Sequence, residues 1–122
     1  MSGILVVEDE ERIRRVLALQ LELEGYEVEA VASGEECLVS LQERLPRLIV
    51  LDYLLPDFSG EEIVQRLRRM QGGKRLPVLL LSGLERQDLD RWLLEDPFVH
   101  FLAKPFENRE LLALVKRALG KD

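Results

Sequence analysis

Five polar side chains that could act together in one site follow apolar runs of the sequence. Three carboxylates, one hydroxyl and one ammonium come after the runs 4–7, 48–51, 78–81 and 98–103; they belong to Glu8, Asp9, Asp52, Ser82 and Lys104. Short apolar runs of this kind are typical of buried strands. The carboxyl ends of parallel strands lie along one edge of a sheet, where open parallel sheets bind ligands. We therefore expect the five side chains to converge on a single pocket.

The chemistry that this set allows is phosphoryl transfer. Three carboxylates held close together repel one another unless protons or a cation neutralise them. Oxygen ligands without histidine or cysteine favour Mg²⁺ or Mn²⁺ and argue against Zn²⁺. Mg²⁺ usually takes only one or two protein carboxylates, which leaves a position for a phosphoryl oxygen. With Lys104 as a compact cation and Ser82 as a hydroxyl donor, one carboxylate could act as the nucleophile.

Each of these residues alone also has a structural interpretation. An Asp at the end of a strand often caps a turn, and the acidic residues 8–11 would favour the start of a helix through its dipole. Ser82 could belong to a turn, and Lys104 could form a surface ion pair. The functional interpretation is preferred because all of these residues fall at the same end of different strands. For His100, which lies mid-strand without a nucleophile beside it, we expect a hydrogen-bonded structural role.

Composition narrows the class of protein. The 122 residues fit one domain, 1–122, and 47% apolar with 33% charged residues is typical of a globular chain. A net charge of −6 argues against direct binding to nucleic acid or an anionic membrane. No apolar stretch approaches the ~20 residues that span a bilayer, and the single Cys37, in an apolar helical stripe, fits a reducing compartment and core packing. We therefore expect a cytoplasmic protein.

One basic stretch is interpreted as a solvated helix face: Arg66, Arg68, Arg69, Lys74 and Arg75.

Strand and helix signals alternate along the whole chain. Strands are predicted at 3–8, 27–32, 48–52, 77–82 and 98–103, and helices at 11–24, 34–44, 60–71, 86–95 and 107–119. Strict alternation predicts a three-layer, doubly wound (βα)5 fold with a five-stranded parallel sheet. The first, third and fourth strands are continuously apolar, as in the centre of a sheet, whereas the second alternates and the fifth contains His100. The predicted order is therefore 2-1-3-4-5, as in flavodoxin-like folds.

Local signals agree with these elements. Ser33-Gly-Glu-Glu36 and Ser59-Gly-Glu-Glu62 each have the form of a capping box at the start of a helix. Leu89, Trp92 and Leu93 have the i, i+3, i+4 spacing of a helical apolar stripe. Because aromatic residues in such stripes usually face inward, we expect Trp92 to pack in the core; the alternative is direct contact with a partner.

At this point the residues resemble a known family, the receiver domain of bacterial two-component response regulators. The resemblance covers the whole chain and includes the order and spacing of the motifs. It is carried by an acidic pair, an acceptor Asp, two loop residues, two switch residues and a Lys-Pro pair: Glu8-Asp9, Asp52, Pro56, Gly60, Ser82, Phe101 and Lys104-Pro105.

The resemblance implies a role for each acidic residue. A histidine kinase or a histidine phosphotransfer protein would present a phosphohistidine, and Asp52 would attack its phosphorus. Asp9 and Asp52 would contact Mg²⁺ directly, Glu8 would act mainly through water, and the backbone carbonyl of Leu54 would complete the protein ligands. Mn²⁺ could take the place of Mg²⁺. The chain would be a phosphoacceptor signalling domain, not an enzyme, and would catalyse at most its own phosphorylation and dephosphorylation.

The resemblance also implies how the signal leaves the site. Ser82 and Lys104 would bind the phosphoryl group, and Phe101 would then turn inward. That movement would alter the surface formed by the fourth helix, fifth strand and fifth helix, which would meet an effector protein, an output domain or a second copy of the chain. We expect the Lys104–Pro105 bond to be cis, because it is typically cis in this family and gives the tight reversal that Lys104 needs to reach Asp52. The alternative is a trans bond with Pro105 starting the helix.

Some positions depart from the family pattern. Pro97-Phe98 stands where Gly-Ala is common, Gly83 replaces a common Ala, and Tyr53 is bulkier and more polar than the usual aliphatic residue. These departures concern the output geometry, since the residues needed for phosphorylation are all present.

Three other interpretations fit parts of the sequence. A pseudo-receiver would keep the fold and signal without phosphate, but the complete set of site residues argues against it. A haloacid-dehalogenase-type phosphatase also uses a strand-end Asp, but it would carry a second Asp where this chain has Leu54. A flavodoxin-like electron carrier would need a phosphate-binding loop, and Ser33-Gly34 and Ser59-Gly60 make poor ones.

Overall fold

Five parallel strands form one sheet, and helices cover both of its faces. The structure, a computed structural model, describes residues 3–120, so both ends of the predicted 1–122 domain lie outside the described residues. The strands are β1 (Ile4–Val7), β2 (Val28–Val31), β3 (Leu48–Asp52), β4 (Val78–Ser82) and β5 (Val99–Ala103). The helices are α1 (Glu11–Leu23), α2 (Gly34–Glu43), α3 (Gly60–Arg69), α4 (Arg91–Glu95) and α5 (Asn108–Ala118), with a 3-10 turn at Arg86–Asp88. The sheet order β2-β1-β3-β4-β5 confirms the doubly wound, flavodoxin-like prediction.

Alternate residues of each strand supply two apolar cores, one on each face of the sheet. On β3, Ile49 and Leu51 pack with α2, α3 and α4, whereas Leu48 and Val50 pack with α1 and α5. β1, β3 and β4 are buried throughout, as their continuous apolar runs predict. β2 exposes its two middle residues, and β5 is only partly buried, as expected of the two edges.

The two predicted capping boxes differ in the structure. At the start of α3 the box is complete: Ser59 Oγ accepts from the N–H of Glu62 at 3.2 Å, and Glu62 Oε1 accepts from the N–H of Ser59 at 2.8 Å. At the start of α2 it is only half formed. Ser33 Oγ accepts from the N–H of Glu36, but the Glu36 carboxylate accepts from the N–H of Ala32, one residue before the expected donor. The more extended backbone at Ser33, with φ −148°, accompanies this difference.

The predicted helix 86–95 is wrong as a single helix. The 3-10 turn and the five-residue α4 are separated by Leu89 and Asp90, whose ψ angles of 151° and 142° are extended. Leu89 is buried in the core on this face, and the N–H of Asp90 donates to the side chain of Glu61. A contact with α3 thus overrides the local helical pattern.

Two side chains in this half of the chain also differ from expectation. Trp92 is 36% exposed, so the prediction of core packing is wrong; in the short α4, its neighbour Leu93 is the buried residue. Arg68 is not on a solvated face, because it forms an ion pair with Asp96 in which both side chains are at most 15% exposed. Cys37 is fully buried in the core, as predicted.

The other predicted helices and strands begin and end within two residues of the observed boundaries. α1 has 13 residues. Within residues 3–120, no helix has the length and apolar character needed to cross a membrane.

Candidate functional site

The parallel register brings the ends of four strands to one edge of the sheet. Asp52 and Ser82 are the last residues of β3 and β4, while Glu8 and Lys104 directly follow β1 and β5. Between the last two strands, the N–H of Lys104 donates to the carbonyl of Ser82 at 2.9 Å. The predicted residues therefore lie at one end of the sheet, although the Ser82 hydroxyl is bonded within its own loop.

The three carboxylates form a compact cluster. The cluster contains one carboxylate oxygen from each of Glu8, Asp9 and Asp52, and these three oxygens all lie within 4.8 Å of one another. Glu8 and Asp52 are 2% and 6% exposed, whereas Asp9 is open to solvent. Glu8 Oε2 accepts from the N–H of Glu10 at 3.1 Å, but its buried Oε1 has no hydrogen-bond partner among residues 3–120. Burial raises the pKa of Glu8, and the charge of Asp52 adds to that effect, while the N–H of Glu10 and the charge of Lys104 oppose it.

Lys104 is the cation of the cluster. Its Nζ lies 2.9 Å from Asp52 Oδ1 and 3.7 Å from Glu8 Oε1. Burial acts to lower the pKa of Lys104, but the hydrogen bond and charge of Asp52, with the charges of Glu8 and Asp9, outweigh it and raise that pKa. The Lys104–Pro105 peptide bond is cis, and α5 begins three residues after Pro105. The ammonium is thus charged and held beside the strand-end carboxylate.

The cluster fits a divalent cation. One ammonium cannot balance three carboxylates, so the protein alone leaves an excess of negative charge. The buried Glu8 Oε1, which lacks a donor in the described part of the chain, is the kind of atom that a hydrated ion would satisfy. The oxygen-only donor set suits Mg²⁺ or Mn²⁺. Asp9, Asp52 and the carbonyl of Leu54, just beyond β3, could hold such an ion, with Glu8 acting through water.

The loop that carries Leu54 is fixed against the start of α2. The two carboxylate oxygens of Asp57 accept from the N–H groups of Gly34 and Glu35 at 2.9 and 3.0 Å. A Cβ on Gly34 would lie 2.5 Å from the ring of Phe58, so this close approach requires glycine. Sequence reasoning missed this clamp, because no local pattern links Asp57 to a helix that starts 23 residues earlier.

Ser82 and Phe101, the two predicted switch residues, both line a cavity of about 190 Å³. Ser82 Oγ accepts from the N–H of Leu84 at 2.9 Å. Phe101 is partly buried, and the guanidinium of Arg86 lies 4.9 Å from the centroid of its ring. Arg86 was not predicted from the sequence; the contact depends on how the 3-10 turn packs against β5.

Comparison with known proteins identifies the family. The sequence model of the response regulator receiver domain family matches residues 4–116. The chain is a receiver domain. Its family is a signalling family rather than a catalytic one, so the phosphatase interpretation is not supported.

Two transcriptional regulators illustrate the sequence relationship. The receiver domain is 40% identical over 121 residues to the phosphate regulon transcriptional regulatory protein PhoB of Rhizobium meliloti, covering 99% of this chain and 53% of that protein. It is 39% identical over 120 residues to the alkaline phosphatase synthesis transcriptional regulatory protein PhoP of Bacillus subtilis, covering 98% and 49%. The chain thus spans about half the length of these curated relatives.

Solved structures show the same fold. The chemotaxis response regulator CheY4 of Vibrio cholerae is 30% identical with a TM-score of 0.88, and the match covers 98% of this chain and 99% of that one. The signal receiver domain of a signal transduction histidine kinase from Syntrophus aciditrophicus is 34% identical with a TM-score of 0.86, covering 98% and 91%.

Proposed function

We propose that this receiver domain is a phosphorylation switch in which Asp52 accepts a phosphoryl group in a Mg²⁺-dependent reaction. The donor would be a phosphohistidine of a histidine kinase or a phosphotransfer protein. One observation carries the proposal: Lys104 Nζ lies 2.9 Å from the buried carboxylate of Asp52, which has an oxygen within 4.8 Å of one from Glu8 and one from Asp9. Charge neutralisation and positioning are the main requirements of phosphoryl transfer, and this set can meet both.

The transfer step needs a carboxylate nucleophile and a nitrogen leaving group. A carboxylate oxygen of Asp52 forms a bond to phosphorus while the bond from phosphorus to the donor imidazole breaks. The electron pair of that bond returns to the imidazole nitrogen, so the donor leaves as histidine. Lys104 faces the negative charge that builds up on the phosphoryl oxygens. Mg²⁺, held by Asp9, Asp52 and the Leu54 carbonyl with Glu8 through water, would neutralise the remaining charge.

The switch step would follow from the hydroxyl of Ser82. Its Oγ accepts from the N–H of Leu84, and if the side chain swings towards Asp52 that bond would break and the hydroxyl would donate to a phosphoryl oxygen instead. The exchange would release the loop after β4 and let Phe101 turn into the adjoining cavity of about 190 Å³. The surface of α4, β5 and α5 would change as a result.

The partners follow from the same proposal. A histidine kinase or phosphotransfer protein would dock at the strand-end edge, where the phosphoryl group must enter. The α4-β5-α5 surface would bind an output domain, an effector protein or a second copy of the chain, in keeping with transcriptional regulators among the relatives. The domain itself would bind neither nucleic acid nor membrane, given its net charge of −6. Such signalling would take place in the cytoplasm.

Intact-mass analysis tests the proposal directly. Incubation with Mg²⁺ and acetyl phosphate should add one phosphoryl group to the wild type and none to Asp52→Asn. The same incubation with EDTA should leave both proteins unmodified. Full labelling of Asp52→Asn, or of the wild type in EDTA, would show that the acceptor or the metal requirement has been wrongly assigned.

A related expectation concerns the lifetime of the phosphoryl group. Leu54 and Leu84, each two positions after a site residue, are 66% and 39% exposed. Because neither can orient an attacking water by hydrogen bonding, we expect slow hydrolysis. Leu54→Asn and Leu84→Glu should each speed the loss of the label measured by intact mass; unchanged rates in both would contradict this account.

A further inference from the structure

A pair of short hydrogen bonds connects the acceptor strand to the start of α4. Tyr53, the residue after Asp52, is only 8% exposed, and its hydroxyl donates to Glu61 Oε1 at 2.6 Å. The other oxygen of the same carboxylate, Oε2, accepts from the backbone N–H of Asp90 at 3.1 Å. Glu61 in α3 therefore bridges the end of β3 and the residue that precedes α4.

We propose that Glu61 is a positioning residue. It keeps Leu89 and Asp90 extended, so that the 3-10 turn and α4 remain separate, and it couples their conformation to the position of the phosphoacceptor strand β3. The coupling function rests on the proposed phosphorylation of Asp52, whereas the control of the break between the 3-10 turn and α4 does not. The bridge from Tyr53 through Glu61 to Asp90 would form a second route to the proposed output surface, in addition to the one through Ser82 and Phe101.

The break is explained by what the N–H of Asp90 does. In a continuous α-helix it would donate to the carbonyl of Arg86, four residues earlier. Here the carbonyl of Arg86 accepts from the N–H of Leu89 at 3.1 Å, which closes the 3-10 turn. The N–H of Asp90 instead meets a charged acceptor, and hydrogen bonds to charged groups are the stronger ones. Asp90 can then start α4, where its carbonyl accepts from Leu93 and Leu94.

Glu61 is held where it can make both contacts. The N–H of Gly60 donates to the carbonyl of Tyr53 at 2.6 Å, which ties the first residue of α3 to the chain just after β3. A Cβ on Gly60 would lie 3.1 Å from the Cα of Tyr53 and 2.9 Å from Leu80 Cδ1, so a larger residue would push α3 away from the chain after β3. The capping box at Ser59 fixes the same turn of helix. The bridge therefore consists of ordered groups on both sides.

This arrangement gives a physical path from phosphate to output. Tyr53 is bonded in the chain to Asp52, so a shift of the strand end moves the tyrosine hydroxyl. Glu61 transmits that shift to Asp90, and Trp92 follows two residues later on the surface of α4. The hydrogen bonds of this path, from Tyr53 through Glu61 to Asp90, include neither Ser82 nor Phe101.

The first experiment uses the unphosphorylated protein. Glu61→Met removes both acceptor oxygens at nearly constant side-chain volume. Gln would not serve, because its amide could accept from the N–H of Asp90 and donate to the hydroxyl oxygen of Tyr53. Glu62→Gln is the control for the loss of a negative charge in the first turn of α3, because the structure gives the Glu62 carboxylate one bond, to Ser59, which a single oxygen can keep. In Glu61→Met the N–H of Asp90 is free to donate to the carbonyl of Arg86, so the Cα chemical shifts of Leu89 and Asp90 should move towards helical values. The control should behave as the wild type.

The second experiment tests coupling, with Trp92, the single tryptophan, as reporter. Glu61→Met and the milder Tyr53→Phe should accept acetyl phosphate at the wild-type level by intact mass, yet lose at least half of the change in Trp92 fluorescence. Wild-type Cα shifts at Leu89 and Asp90 in Glu61→Met would overturn the proposed control of the break, and a full Trp92 response in both variants would overturn the coupling. If the wild type takes up no phosphate, the function proposed for Asp52 fails, while the Cα shifts still decide the role of Glu61.

Discussion

Arg68 gives the sharpest test of the forces that hold α3, α4 and β5 together. Its Nε donates to Asp96 Oδ2 at 2.8 Å, and its Nη1 donates to the carbonyls of Gly73 and Leu76 at 2.7 and 2.8 Å. The second oxygen of Asp96 accepts from the N–H of Phe98, at the entrance to β5. One guanidinium thus joins α3, the loop before β4 and the connection from α4 to β5. We predict that Arg68→Met is strongly destabilising.

The size of the effect can be worked out from these contacts. Both side chains of the pair are at most 15% exposed, so solvent screens the interaction only weakly. Removing one partner of a buried ion pair costs about 3–5 kcal/mol. The buried Nη2 of Arg68 has no hydrogen-bond partner among residues 3–120, so its burial carries a desolvation cost. Because the variant removes this group, about 1 kcal/mol of the loss is recovered. The expected loss is therefore about 3 kcal/mol, which corresponds to about 12 °C in melting temperature for a domain of this length.

Urea unfolding followed by far-UV circular dichroism measures this loss, and Arg69→Met serves as the control. Arg69 is the next residue of α3 and is exposed, so its replacement should change the free energy of unfolding by less than about 0.5 kcal/mol. In an Asp96→Asn background, Arg68→Met should cost about 2 kcal/mol less than in the wild type. A cost below about 1 kcal/mol for Arg68→Met alone would refute the assignment of a buried, connected ion pair.

Three further outcomes follow from the structure. Millimolar MgCl₂ should raise the melting temperature of the wild type more than that of Asp52→Asn; an equal rise would place the ion elsewhere. Gly34→Ala should lower the free energy of unfolding by about 1–3 kcal/mol, because the new Cβ would lie 2.5 Å from a ring carbon of Phe58. As a control, Gly83→Ala should change the free energy of unfolding by less than about 1 kcal/mol, because a Cβ at that position would have nothing within 4 Å. Burial lowers the pKa of His100 below its ordinary 6.5, so the folded state resists protonation. The wild type should lose stability relative to His100→Gln as the pH falls through 6.5, and a constant difference in urea titrations would contradict this.

The features that could be predicted from the sequence depend on a few adjacent residues. The continuous apolar character of β3 and β4 identifies them as central strands, and each run ends in a polar residue, Asp52 or Ser82. Once the strands are parallel and adjacent, the position of these residues at one edge follows from geometry alone. The capping box of Ser59 and Glu62 is equally local, since donor and acceptor are three residues apart.

The features that could not be predicted depend on partners far along the chain. The break before α4 requires Glu61, which is 29 residues from Asp90, and a helical stripe at 89–93 contains no sign of that contact. Arg68 stands among exposed arginines in the sequence, and only the arrival of Asp96, 28 residues later, explains its burial. Exposure of Trp92 follows from the same break, because a five-residue helix buries fewer of its positions than the predicted ten-residue helix would.

The cluster at the end of the sheet is poorly explained as a source of stability. A buried ion pair such as Lys104 with Asp52 contributes little net free energy, because desolvation offsets much of the attraction. Glu8 adds a second buried carboxylate, whose Oε1 lies 3.7 Å from Lys104 Nζ but accepts no hydrogen bond from residues 3–120, and Asp9 adds a third negative charge nearby. An apolar side chain in place of Glu8 would relieve both the repulsion and the unsatisfied atom. The proposed function gives the arrangement a reason, because a divalent cation and a phosphoryl group would complete it, and the charge excess that contributes little to stability would then serve to bind these ligands.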